Sequence, residues 1–331
     1  MGMTRLLRQP FSHPALPSVS FASRTIIVTG ANVGLGHAAA AHFVRLGATR
    51  VIATCRSESK CAATLAGIEE AAGRKGVVQV WELDYSSYAS VQAFCARADA
   101  ELDRLDAVVL NAGVATRIYE VAEEDESSLT VNVVSTTLLA ALLLPVLRRS
   151  ADRFSSENNL TVISSEVHQW AKFPERDEAN IFGSMSDPKT KTMAERYPAS
   201  KLLQVFAIRE IAARTHDSTP FVTVNMVSPG LNKTSLTRST KGLEAAVIKI
   251  VNALLAWEPD VGARTLVHGV VAGRASHGVL LDHCELENDA LAPWIETDEG
   301  RRLQRKVWAE LERKLEAIRP GCVAAMEGKE A

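Results

Sequence analysis

A β-branched run, Thr25-Ile26-Ile27-Val28-Thr29, meets Gly30-Ala31-Asn32-Val33-Gly34-Leu35-Gly36. A helical stretch over 37–46 follows and stops at Gly47. The run has no polar alternation, so both its faces are expected to be buried, as in a parallel sheet. Strand, glycine loop and helix in this order also suit an anionic ligand. Glycines let the backbone turn tightly and come close to it, and the helix N-terminus offers free N–H groups with a partial positive charge. The spacing is T-G-x-x-x-G-x-G rather than the dinucleotide fingerprint G-x-G-x-x-G, so the loop by itself leaves a nucleotide and a bare turn both open.

The pattern then repeats. Strand 50–54 ends at Cys55-Arg56, helix 57–72 follows, strand 77–84 ends at Asp84, and helix 87–103 leads to strand 107–110 and Asn111-Ala112-Gly113. Alternation at this spacing predicts a parallel sheet covered on both faces, with ligands at the carboxyl ends of the strands near the switch point. Gly30, Asn32, Gly34, Leu35, Gly36, Arg56, Asp84, Asn111, Ala112 and Gly113 all fall at such ends. No acid ends the second strand. Arg56 stands there with Lys60 one turn on, which favours a 2′-phosphate, and so NADP over NAD, against the plainer reading of a solvated arginine. Asp84 suits an adenine amino group and equally the N-cap of the next helix.

A helix over 123–148 carries Asn132, whose amide must find hydrogen bonds if buried. Strand 160–165 ends in the paired hydroxyls Ser164 and Ser165. Residues 166–196 are expected to be an irregular insertion, and Trp170, Phe173 and Phe182 suggest a lid. Tyr197-Pro198-Ala199-Ser200-Lys201 then places a phenol and an ammonium on one helix face. A tyrosine titrates near 10, and a positive charge close by lowers it by roughly 1–3 units. Such a phenol can give a proton to a carbonyl or take one from an alcohol. The same spacing also occurs on plain exposed helix faces. Strand 221–227, an apolar helix over 242–257, a helix over 259–272 and a strand over 278–284 bring the sheet to seven strands. The helix over 242–257 suits core packing better than a membrane surface. A charged helix within 296–318 is suited equally to packing on the domain or on a second copy of the chain.

Composition removes other classes. Of 331 residues, 47% are hydrophobic and 23% charged, which is enough for a large core. A net charge of -2 supplies no basic field for nucleic acid. Five scattered cysteines without a CxxC pair point to free thiols in a reducing compartment, and no His/Cys cluster has metal spacing. His168, His216, His268, His277 and His283 are therefore read as structural. Residues 1–22 look like a loose arm without the apolar core of a signal peptide, and no uninterrupted apolar window reaches membrane length. Together these suggest a cytoplasmic protein.

Thr29-Gly30…Gly34…Gly36, Asn111-Ala112-Gly113, Asn132, Ser165, Tyr197…Lys201 and Pro229-Gly230…Thr234 resemble the short-chain dehydrogenase/reductase family over about residues 22–286. Ala31-Asn32-Val33, Cys55-Arg56 and Ser164-Ser165-Glu166-Val167-His168 look most like its retinol-dehydrogenase-like branch, including reductases of fungal secondary metabolism. The resemblance implies a Rossmann-like doubly wound domain over 23–290 with lid segments 166–196 and 235–258, followed by a helical extension over 291–331. It implies that Tyr197 exchanges a proton with the substrate oxygen and that Lys201 lowers its pKa and holds the ribose. It further implies that Ser165, rather than Ser164, bonds the carbonyl oxygen and that Asn132 positions a water leading to Lys201. Leu35, Asp84, Asn111, Leu231 and Thr234 would contact NADP(H). The expected substrate is an apolar ketone, aldehyde or alcohol. Rival readings are a non-catalytic NADP-binding sensor or an epimerase with tightly held NAD, the latter requiring an acid where Arg56 stands.

Overall fold

The computed structural model describes residues 9–189, 193–233, 251–284 and 291–329. One parallel sheet contains β1 (Thr25–Val28), β2 (Arg50–Cys55), β3 (Val78–Glu82), β4 (Ala107–Leu110), β5 (Asn158–Ile163), β6 (Val222–Ser228) and β7 (Leu280–Asp282). The strands lie in the order β3-β2-β1-β4-β5-β6-β7. The chain winds outward from β1, returns to the centre, and winds outward again from β4. The expected doubly wound seven-stranded sheet is thus present, with its reversal between β1 and β4.

Strand side chains sort by parity, because successive residues point to opposite faces. Ile26 and Val28 join Val51, Ala53 and Phe43 on one side, while Ile27 joins Ile52, Val108 and Leu138 on the other. The covering helices are α1 (Gly34–Arg45), α2 (Glu58–Ala72), α3 (Tyr88–Glu101), α4 (Ser127–Phe154), α5 (Arg196–Thr215) and α6 (Pro259–Val271). Helices α1, α2 and α6 cover the first face, and α3, α4 and α5 the second.

Several boundaries differ from expectation for identifiable reasons. β3 stops at Glu82, so Asp84 lies beyond it, and the N-cap of α3 is Ser87, whose Oγ accepts from Ser90 N–H. α4 begins at Ser127 rather than 123, because Val121–Ala122 pairs with Asp125–Glu126 in a small hairpin, and it runs on to Phe154. With 28 residues and a hydropathy of 2.0, α4 is long and apolar enough to cross a membrane, yet 89% of that window is buried inside the fold. It is the central helix of the second core.

The arm, expected to be loose, is docked from Gln9 onward. Gln9 is 1% exposed, and Phe21 meets Phe43 edge to face at 5.1 Å. The insertion is not irregular either. It consists of short helical turns at Glu166–Trp170, Pro174–Asp177, Ile181–Ser186 and Met193–Glu195. Phe173 and Phe182 are core residues, while Trp170 is 59% exposed. Two further helices, α7 (Asp298–Ile318) and α8 (Cys322–Glu327), pack on α5 and α4 of the same domain. Leu303, Val307, Trp308, Leu311 and Leu315 form the buried stripe of α7. The Glu310 carboxylate on that helix accepts from Ile181 N–H (2.9 Å) and Phe182 N–H (3.3 Å), which clamps the insertion. Of the helix expected over 242–257, only its end from 251 is described, and it is helical through 255.

Candidate active site

The crevice opens where β1 and β4 end side by side. Gly30 has φ +63°, and a Cβ there would lie 3.0 Å from the Ala112 Cα. A Cβ on Gly36 would lie 2.6 Å from the Gly30 carbonyl oxygen, so both positions exclude side chains. Thr29 Oγ1 accepts from the N–H groups of Asn111 (2.9 Å) and Ala112 (3.2 Å). Asn111 Nδ2 donates back to the carbonyls of Thr29 (2.9 Å) and Gly30 (3.3 Å). Gly30 N–H donates to Thr54 Oγ1 at 3.1 Å. The Asn111 side chain therefore holds the glycine loop in place. Two buried threonines with no recognisable motif, Thr29 and Thr54, share that task.

At the start of α1, Val33 provides no side-chain cap, which leaves first-turn N–H groups for a ligand. Asn32, Gly34 and Leu35 are half-buried around this turn, while Arg56 and Lys60 at the end of β2 are exposed. Neither forms an ion pair among the described residues. Asp84 is half-buried, and its Oδ1 accepts from the Ser86 N–H (2.9 Å) and hydroxyl (2.5 Å). Gly113 follows Ala112 with its Cα facing Asn132 Oδ1. Thr234 lies outside the described residues. Leu231 departs from expectation. Its N–H donates to Gln9 Oε1 (2.9 Å) and its carbonyl accepts from Gln9 Nε2 (2.6 Å), so both backbone groups are taken by the arm. Gln9 also bonds the Leu255 carbonyl, and its own carbonyl accepts from Trp257 Nε1. No sequence signal marks Gln9.

Tyr197 and Lys201 occupy the first turns of α5, which puts them one turn apart at the end of β5. The Tyr197 hydroxyl shares a hydrogen bond with the Ser165 side chain. Ser165 caps the turn at Glu166–Trp170, its Oγ accepting from Val167 N–H at 3.3 Å. The Ser164 hydroxyl is buried without a partner among the described residues, so Ser165 is the member of the pair that reaches the phenol. Lys201 is 4% exposed. Its Nζ donates to the Ile163 carbonyl (2.8 Å) and to Gln204 Oε1 (3.0 Å), and it lies 5.9 Å from the Tyr197 ring centroid.

Asn132 lies in a π-helical turn of α4, Thr130–Ser135. π turns of this kind recur at functional sites. Its Nδ2 donates to the Val114 carbonyl (2.8 Å) and Ser200 Oγ (3.0 Å), and its Oδ1 accepts from Val114 N–H (2.9 Å). Ser200 Oγ in turn donates to the Tyr197 carbonyl at 2.9 Å. The four residues expected at the site are therefore assembled around the end of β5.

The charges differ from the sequence expectation. Burial pushes the Tyr197 phenol up to about 12, against the Ser165 hydrogen bond, which lowers it. Burial also brings Lys201 down to about 7. The enclosure meant to bring the ammonium beside the phenol thus removes part of its charge, and desolvation prevails.

His168 supports Ser165 from behind. Its Nε2 accepts from Ala292 N–H (3.1 Å), so Nδ1 carries the proton and donates to the Ser165 carbonyl (2.8 Å). Burial lowers the pKa of His168 and also that of His42. Their contribution to stability is complete above the unfolded value near 6.5 and is lost as pH falls through the folded values. Thermal unfolding midpoints should therefore drop as pH is lowered below about 6.5, at about 1.4 kcal/mol per pH unit for each histidine still neutral in the fold. A midpoint unchanged from pH 7 to 5 (~two units, spanning the free histidine value) would contradict this.

A short chain dehydrogenase family profile matches residues 24–167. A short chain dehydrogenase/reductase of Cryptosporiopsis sp. is 41% identical over 321 residues, covering 96% of this chain and 98% of that protein. A short-chain dehydrogenase of Penicillium roqueforti is 38% identical over 97% of this chain and 84% of its own length. Among solved structures, a short chain dehydrogenase from Shigella flexneri superposes with a TM-score of 0.59 at 24% identity, covering 83% of this chain and 95% of that one. A second, from Shigella flexneri 2a and complexed with NADP, has a TM-score of 0.57 at 23% identity, covering 81% of this chain and 100% of that one. The structural likenesses are likenesses of fold.

Proposed function

The chain belongs to the short-chain dehydrogenase family, and from that membership we propose that it interconverts a ketone or aldehyde with an alcohol on an apolar small molecule, using NADP(H). The observation that carries this reading is the Ser165–Tyr197 hydrogen bond with Lys201 buried one turn behind it, at the strand ends flanking the β1/β4 crevice. The donor set fits a dinucleotide phosphate. Gly30 and Gly36 clear a path for it, the uncapped start of α1 offers N–H groups, and Arg56 and Lys60 supply cations without an ion pair among the described residues. That one solved fold neighbour holds NADP agrees with this choice.

When bound, the nicotinamide gives hydride to the carbonyl carbon or takes it from the alcohol. Ser165 holds the substrate oxygen. Tyr197 gives that oxygen its phenolic proton during reduction and is left as phenolate, and in oxidation it takes the proton back. Lys201, beside the ring, stabilises the phenolate as it forms. A phenol with a high pKa is a weak acid, so a large part of the acceleration rests on Lys201 acting on the phenolate rather than on the resting phenol.

Trp170, exposed five residues beyond Ser165, supports an apolar substrate. The fungal relatives support a place in secondary metabolism within the retinol-dehydrogenase-like branch, and five free thiols fit the reducing cytoplasm. The test is turnover of NADPH and of NADH with a panel of apolar ketones. No carbonyl-dependent oxidation of either cofactor would defeat the proposal. Replacing Arg56 with Ala should raise the KM for NADPH by roughly 10–100-fold, the equivalent of about 1.5–3 kcal/mol for a lost charged hydrogen bond, and change the KM for NADH by less than about threefold. Equal changes for both cofactors would remove Arg56 from the phosphate site.

A further inference from the structure

The resemblance implied a water between Asn132 and Lys201. Gln204, three residues beyond Lys201 on α5, makes that link itself. Its Oε1 accepts from Lys201 Nζ at 3.0 Å, and its Nε2 donates to the Asn132 main-chain carbonyl at 2.9 Å. Gln204 is 1% exposed, Lys201 4% and Asn132 0%. We propose that Gln204 is a positioning residue that couples Lys201 to the π turn of α4 by a fixed amide bridge in place of a relay water.

The chemistry at the two ends selects this residue type. An ammonium only donates and a carbonyl only accepts, so the connector must accept at one end and donate at the other. A primary amide does both. An ionised carboxylate accepts only, and an apolar side chain does neither. Unlike water, an amide does not hand protons on at neutral pH, so the bridge fixes the ammonium without conducting. The remaining Lys201 contact, to the Ile163 carbonyl, is also a fixed backbone group. The ammonium is therefore held by an end of β5 and an end of α4 together. No charged side chain contributes to its lowered pKa, and the titratable group in contact with it is Tyr197. A charge introduced at Gln204 therefore acts against no existing one.

The inference rests on the reading of Lys201 and Tyr197 as the reacting pair, and its test includes a readout that needs no turnover. Lysine side-chain 15N NMR of the cofactor-free protein, with Lys201→Met supplying the assignment, follows the titration of Lys201. Gln204→Glu should raise its pKa by about one unit or more, because a carboxylate at that position favours the ammonium. The corresponding limb of the kcat pH profile should move the same way. Gln204→Met, which keeps the length and removes both hydrogen bonds, should lower kcat by about 10-fold or more while the NADPH dissociation constant stays within about threefold. Unchanged kcat in Gln204→Met, or an unmoved Lys201 titration in Gln204→Glu, would overturn the bridge. Should Gln204→Met fail to fold, the Gln204→Glu titration decides alone. A shifted titration in a protein that reduces no carbonyl would leave the bridge standing and reject the proposed function.

Discussion

Tyr197→Phe is expected to lower kcat/KM for carbonyl reduction by about 10²–10⁴-fold while NADPH affinity changes by less than about threefold. Phenylalanine keeps the ring that packs at the head of α5 and removes only the hydroxyl that Ser165 meets. The cofactor's phosphate contacts lie elsewhere, at the Gly30 loop and Arg56, so binding and chemistry should separate. Fluorescence titration with NADPH and single-turnover loss of its absorbance measure the two quantities independently. Residual turnover within about 10-fold of the parent would show that another group supplies the proton.

Glu175→Ala should cost about 3–5 kcal/mol of stability. Glu175 in the insertion and Arg196 at the start of α5 are each 2% exposed and paired at 3.2 Å. Removing the carboxylate leaves a guanidinium buried without its counter-charge, which is far more costly than losing an exposed pair. Arg196 directly precedes Tyr197, so turnover should fall together with stability. Replacing the pair jointly, as Glu175→Leu with Arg196→Met, should recover most of the loss, because apolar residues of similar size need no counter-charge. Denaturant unfolding of the two variants decides. A loss below about 1 kcal/mol in Glu175→Ala would mean that water reaches the guanidinium, and the insertion would then be a looser flap than its buried Phe173 and Phe182 indicate.

This pair shows where sequence reading stops. Residues 166–196 looked irregular because their aromatics follow no single period. In the fold, Phe173 and Phe182 fill one core, Glu310 of α7 satisfies the N–H groups at the turn beginning with Ile181, and Glu175 meets Arg196. Each contact joins parts of the chain that no local pattern relates. Asn132 is a second case. Its place in an apolar helix announced that its amide needs partners, and the partners proved to be Val114 and Ser200, with the main-chain carbonyl going to Gln204.

The parallel sheet, the positions of Gly30, Arg56 and Asn111 at its strand ends, and the shared helix face of Tyr197 and Lys201 were all determined by the sequence alone. They follow from periods of 2 and 3.6 residues and from where glycine interrupts them, and such patterns survive any change in distant surroundings. The docking of Gln9 on Leu231, the tautomer of His168, the Gln204 bridge and the opposed pKa shifts of Tyr197 and Lys201 were decided only by the tertiary structure. A buried polar group must be satisfied, but which group satisfies it, and how much water it loses, depends on segments brought together from as far as 222 residues away.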